Sequence, residues 1–211
     1  MKQIWQSRRV FDMHTTYGIC PLCYRVGILH RSICKECTEE LVQLQYATIG
    51  DHQCPLCLSP QLHPDTVCLH ERHQGAVLSV FPHRKRAKQL IMRFERDDVK
   101  PLRTIIAYHV EQVLTTLPER YSNPLLIPVP YKDDPMKQVV HACHQFPHLH
   151  LLHKKAGSYT LCQKHITSDL TGYTLIALAG SYKNGEHLNA AVTVLRSVIT
   201  APIIALCITK D

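Results

Sequence analysis

From residue 76 onward, short apolar runs alternate with apolar stripes of helical period. Residues 76–82 (Ala-Val-Leu-Ser-Val-Phe-Pro) predict a strand. Ala87, Leu90, Ile91 and Phe94 recur at i, i+3, i+4 and i+7 and predict a helix, with Lys85, Gln89, Arg93 and Arg96 on its opposite side. A second helix carries Leu102, Ile105, Ile106, His109, Val110, Val113, Leu114 and Leu117 on one stripe. His109 on that stripe reads as a hydrogen-bonded core histidine, not a ligand. Leu125 to Pro130 reads as a buried strand that stops at prolines. Residues 136–145 read as a helix and 148–153 as a strand. Tyr173 to Leu178 is the clearest core strand, followed by an expected loop from Ala179 to Gly185. A helix with Leu188, Ala191, Val192, Leu195 and Val198 inward comes next, and Ile203 to Ile208 closes as a strand. This alternation predicts an α/β domain whose sheet is mainly parallel, with crossover helices.

A chain of 211 residues has room for one such domain and a small appendix. No apolar run approaches the roughly 20 residues that span a bilayer, so membrane insertion is not expected. Residues 1–9 lack the apolar centre of a signal peptide. The expected location is therefore the cytoplasm, at most touching the inner face of the membrane through partners, where thiols stay reduced.

Seven of the ten cysteines fall between Cys20 and Cys68, and in a reducing compartment such clustering points to metal. Cys20-Pro21-Leu22-Cys23 and Cys34-Lys35-Glu36-Cys37 give C-x2-C-x10-C-x2-C. Each pair presents two sulfurs from a tight turn, and two facing pairs complete a tetrahedron around Zn²⁺. Cys54-Pro55-Leu56-Cys57 repeats the first motif, and Cys68 follows at the same spacing. The eighth ligand position holds Glu71, so the second site needs His73, or else His70 or Glu71 itself. A catalytic zinc is not expected, because so short a ribbon offers no pocket for water and a base. Seven thiolates with two Zn²⁺ would lower the formal charge of +7 by about three units, leaving a mildly basic surface that permits nucleic-acid contact. His144, His148, His150 and His153 crowd one stretch. Their spacings match no ligand pattern, and His148, His150 and His153 read as parts of one strand.

With these motifs the chain resembles the ComF/GntX family over nearly its whole length. The two C-P-L-C segments are similar to that family's double zinc ribbon. Lys88 to Asp98 (KQLIMRFERDD) is similar to its helix ending in an "RFK-x-x-GD"-like stretch, and Leu126-Ile127-Pro128-Val129-Pro130 to its L-V/I-P-V/I-P strand. The resemblance implies a double zinc ribbon over residues 15–75 and a type I phosphoribosyltransferase-like domain over 76–211. It also implies a cytoplasmic role in natural transformation beside a competence helicase of the ComFA type, on incoming single-stranded DNA.

Family members keep a loop resembling D-D-x-x-T-T-G-x-T, whose acids hold ribose hydroxyls and whose turn holds a 5′-phosphate. Here Ala179 and Gly180 stand at the acids, Lys183 and Asn184 at two threonines, and His187 at the last, while Gly185 remains. Glu186 then places a carboxylate in the first helical turn, in the field a phosphate would need. The family's R-G-F-N-Q segment is reduced to Lys137-Gln138. The expected function is therefore non-enzymatic, a zinc adaptor in DNA uptake. Lys85, Arg93 and Arg96 are its candidate phosphate contacts. An active phosphoribosyltransferase and a zinc-ribbon nucleic-acid-binding protein outside competence are the alternatives.

Overall fold

The computed structural model describes residues 15–48, 77–117, 121, 123–131, 135–162, 170–182 and 186–210. The elements in order are β1 (Thr15–Ile19), β2 (Val26–His30), β3 (Ile33–Cys34), α1 (Lys35–Thr48), β4 (Val77–Pro82), α2 (Lys85–Arg96), α3 (Leu102–Thr115), β5 (Pro124–Pro128), α4 (Pro135–Ala142), β6 (Leu152–Lys155), β7 (Ser158–Leu161), β8 (Thr174–Tyr182), α5 (Glu186–Arg196) and β9 (Ile203–Lys210).

Strands β4, β9, β8 and β5 form one sheet in that order, with every pairing parallel. Side chains of a strand alternate between its two faces, and the core divides accordingly. Leu78, Val80, Leu126, Ile176, Leu178, Ile204, Leu206 and Ile208 pack with α2, α3 and α4 on one side. Val77, Leu125, Ile127, Leu175, Ala177, Ala205 and Cys207 pack with α5 and the β6–β7 hairpin on the other. Coverage of both faces explains why these strands read as unbroken apolar runs.

The expected parallel sheet is present, and the α2 stripe (Ala87, Leu90, Ile91, Phe94) is buried as the period predicts. Five local readings are corrected. Strand β8 does not end at Leu178: Ala179, Ser181 and Tyr182 pair with Cys207, Thr209 and Lys210, because β9 runs to residue 210 and gives them a partner. Residues 148–153 are not one strand. His148 makes an isolated bridge to Leu126, and β6 starts at Leu152. Strand β6 turns through Ala156 (φ 48°) and Gly157 (φ 86°) into β7, a two-residue hairpin that the apolar pattern did not announce. Helix α4 ends at Ala142 rather than 145, and Val198, beyond the end of α5, is exposed.

Near the N-terminus, β1, β2 and β3 form a separate antiparallel sheet leading into α1. Leu22, Leu29, Ile33, Leu41 and Leu44 belong to the same buried cluster as Leu78, Leu90 and Ile106. The described part of residues 15–75 is therefore continuous with the core of the α/β body. Among the described residues, no helix is long and apolar enough to cross a membrane.

Candidate metal centre

The first cysteine pair sits in a tight turn between β1 and β2. Tyr24 N–H donates to the Cys20 carbonyl at 2.8 Å, and Cys20 N–H to the Arg25 carbonyl at 2.8 Å. Tyr24 takes a left-handed backbone (φ 62°), which brings the chain sharply back after Cys23. The second pair has a different setting from the expected facing turn. Cys34 ends β3, and Cys37 lies in the first turn of α1. The centre is thus built from one turn, one hairpin and one helix N-terminus. That helix end contributes unpaired N–H groups and the positive pole of its dipole, both of which favour thiolate.

The four sulfurs converge. Cys20 Sγ lies 3.9 Å from Cys37 Sγ, and Cys23 Sγ lies 3.6 Å from Cys34 Sγ. All four lie within 4.8 Å of one another. A tetrahedron of sulfurs with metal–sulfur bonds of about 2.3 Å has edges of about 3.8 Å. The separations fit a single tetrathiolate-bound ion with little rearrangement. Cys20 and Cys37 are buried and Cys23 and Cys34 half-buried, and four thiolates would leave an ion no open coordination position.

Polar neighbours suit a charged centre. Burial alone would raise the Cys20 pKa, but backbone N–H groups of Cys34, Cys23 and Leu22 bring it down to about 7. The Cys34 N–H lies 3.4 Å from Cys20 Sγ. Burial, and then the adjacent Cys34 and Cys23 sulfurs, push the Cys37 thiol up, the direction that a bound cation would reverse by favouring thiolate. Desolvation disfavours the Arg86 charge, but Cys37 and then Glu40 outweigh it, and Arg86 pairs with Glu40 at 3.0 Å. Arg93 donates to the Pro21 carbonyl at 2.8 Å and stacks 3.8 Å from the Tyr24 ring centroid. The exposed pair Arg25–Glu36 also joins the turn to α1.

The other anticipated residues are placed as follows. Cys54, Cys57, Cys68 and His73, with the alternatives His70 and Glu71, lie outside the described residues, as do Lys183, Asn184 and Gly185. Lys85 and Arg96 are exposed on α2, whereas Arg93 is half-buried against the knuckle. Ala179 and Gly180 lie on β8. A Cβ added at Gly180 would collide with the Glu95 carboxylate, which reaches over the strand from α2. His187 lies on α5 with its ring 5.1 Å from Tyr131 and its Nδ1 3.4 Å from Lys154 Nζ. Tyr131 and Lys154 were not anticipated. Their convergence depends on the β6–β7 hairpin, which carries Lys154 to the end of β5. His109 is buried as expected, with Nδ1 2.5 Å from Gln45 Oε1, while Gln45 Nε2 donates to the His109 carbonyl at 3.2 Å.

The chain matches no protein-family model, and no curated protein matches it.

Proposed function

We propose that this protein is a non-enzymatic zinc-binding accessory factor of natural competence. In this reading it assists cytoplasmic uptake of transforming single-stranded DNA beside a helicase of the ComFA type. The observation that carries the zinc-binding part is the convergence of the four cysteine sulfurs, in a module that shares its core with the α/β body, and the non-enzymatic part rests on Ala179 and Gly180 standing where the resembled family has its two acids. Zn²⁺ is the assigned ion because four thiolates at tetrahedral spacing match its preferred structural site. An ion held this way fixes shape and has no open position for catalysis. The link to competence rests on the resemblance of the two C-P-L-C segments and the L-I-P-V-P strand to the ComF/GntX family, and so does the assignment of a phosphoribosyltransferase-like fold to the body.

The module also offers a surface for a partner. Tyr17, Ile19, Val26 and Ile28 share one face of the β1–β2 ribbon and are 60–79% exposed. Contiguous exposed apolar side chains of this kind mark interaction surfaces. We assign this face to the helicase partner and the exposed Lys85 and Arg96 to DNA phosphate.

One observation favours the enzymatic alternative. Tyr131, Lys154 and His187 gather beyond the carboxyl ends of β5 and β8, the edge at which open parallel sheets hold ligands. Against it, the family's two acid positions are Ala179 and Gly180, and Glu95 covers the second.

The test is metal analysis of full-length protein purified without chelator, followed by a pull-down with the companion helicase, with and without single-stranded DNA. Zinc at one to two ions per chain and helicase capture support the reading. Absence of metal would sink the structural assignment. A metallated protein that captures no helicase would sink the competence role alone.

A further inference from the structure

A second group of metal-ligating side chains lies apart from the cysteines. His141, in the last turn of α4, meets His148 and His150 from the segment before β6. One nitrogen from each lies within 4.8 Å of the others. The ring centroids are 4.6 Å apart for His141–His148, 5.4 Å for His141–His150 and 5.8 Å for His148–His150.

The backbone holds these rings in place. Leu126 N–H donates to the Pro147 carbonyl and Leu149 N–H to the Leu126 carbonyl, both at 2.9 Å, pinning the segment to β5. Two residues on, Cys162 N–H donates to the Leu151 carbonyl at 2.8 Å, which ties the segment to the β6–β7 hairpin. His148 and His150 are two residues apart on a pinned extended segment and so project to the same side. Met136, Val139 and Val140 bury α4, and His141 follows them at its solvent edge.

We propose that His141, His148 and His150 form a three-nitrogen site for a divalent first-row transition ion, with water completing its coordination. Metal–nitrogen bonds of about 2.0–2.1 Å place nitrogens about 3.3 Å apart in a tetrahedral site. The rings therefore need to close by no more than about 1.5 Å, which side-chain rotation of the exposed His141 allows. The group is all imidazole, which selects ions such as Zn²⁺, Ni²⁺ or Co²⁺ over Mg²⁺ and Ca²⁺. One helical turn before His141, Gln138 keeps its Oε1 buried with no hydrogen-bond partner among the described residues. An N–H of a ligating imidazole, or a metal-bound water, would satisfy that acceptor. Unlike the buried tetrathiolate, this site is half open and exchangeable.

Calorimetric titration with Ni²⁺ tests the site, on full chain that retains its cysteine-bound zinc after a weak chelator has stripped any exchangeable ion. Wild type should bind one Ni²⁺ more than His148→Ala/His150→Ala, and His141→Ala should weaken that ion at least about tenfold, whereas His144→Ala should leave it unchanged. Equal stoichiometry and affinity in wild type and the double variant overturn the site. A second readout does not depend on the variants. Substoichiometric Co²⁺ added to wild type should broaden three imidazole resonances together, and if the resonances of these three histidines stay sharp the proposal fails.

Discussion

Arg93 of α2 donates to the Pro21 carbonyl at 2.8 Å, within the first C-P-L-C turn. The same guanidinium stacks on Tyr24, the residue that follows the turn. The α/β body thus grips the cysteine module beside Cys20 and Cys23, through a planar donor that lysine cannot imitate.

Arg93→Ala should therefore destabilise the protein by about 1–3 kcal/mol, the cost of one charge-assisted hydrogen bond and a stacked cation. It should also speed zinc release to a chelator. Arg93→Lys should recover little of either. Thermal melts and chelator-release kinetics read both effects. If Arg93→Ala melts and releases metal like wild type, the contact does not dock the module.

Cys23→Ser should remove one metal ion per chain and unfold β1–β3, since a three-stranded ribbon buries too little to fold without metal. Because Leu29, Leu41 and Leu44 share the body's core, the loss should extend to α1 and lower the stability of the whole chain. Atomic absorption and far-ultraviolet circular dichroism test this. Any ion remaining after the substitution would have to be held elsewhere, at the expected Cys54, Cys57, Cys68 and His73 group or at the three-histidine cluster. Full metal content in the variant would refute the ligand set.

The sequence was most legible where burial alone decides structure. The stripes of α2 and α3 and the apolar runs of β4, β5, β8 and β9 appear as buried faces because the period of an amphipathic or fully covered element is written in consecutive residues. The convergence of Cys20, Cys23, Cys34 and Cys37 was legible for a similar reason, since C-x2-C places both sulfurs locally. What the spacing did not disclose was the scaffold of the second pair. Cys37 opens a helix because Leu41 and Leu44 find the body's core, which is a tertiary fact. Likewise, the crowd of histidines from 144 to 153 was visible, but His141 joins His148 and His150 only once α4 is laid beside β5. The length of β8 depended on a neighbour, β9, distant in sequence.

His109 gives the protein a pH-dependent stability. Burial, and then the charge of Arg31, depress its pKa to about 3. The unfolded chain binds a proton near 6.5 that the folded chain refuses. The stability from keeping it neutral is complete above about 6.5 and is lost progressively as pH falls toward 3, with a slope of at most about 1.4 kcal/mol per pH unit. Denaturant titrations of metal-loaded protein across that window should show the slope. Gln45→Leu/His109→Phe, which replaces the bonded pair together, should flatten it. The same slope in the double variant would assign the dependence to other groups.

Single-stranded DNA binding, on the proposed reading, should be weak and salt-sensitive. Lys85→Ala/Arg96→Ala should reduce the slope of log affinity against log salt by up to about 1.4, at about 0.7 per phosphate contact on a single strand. Adding Arg93→Ala should not lower it further, because Arg93 is committed to Pro21 and Tyr24. An unchanged slope in the double variant would make α2 an ordinary solvated face. A further fall with Arg93→Ala would show that DNA displaces the knuckle contact.

Phosphoribosyl pyrophosphate with Mg²⁺ should show no saturable binding in calorimetry. Charge-assisted hydrogen bonds are worth roughly 1.5–3 kcal/mol each, so on the proposed family reading, with Ala179 and Gly180 at the two acid positions, those positions alone account for a loss of more than about 100-fold. Restoring them should not restore the ligand. Ala179 lies on β8 against Cys207, and a side chain at Gly180 meets the Glu95 carboxylate. Gly180→Asp would set two carboxylates against each other, which costs stability and raises the pKa of one of them. Ala179→Asp/Gly180→Asp should therefore melt earlier than wild type and still bind nothing. Adding Glu95→Ala should recover stability by removing the collision, again without binding, since Glu186 keeps a carboxylate in the first turn of α5. Micromolar affinity in the unmodified chain would reverse the assignment and make the Tyr131, Lys154 and His187 edge the place to look for catalysis.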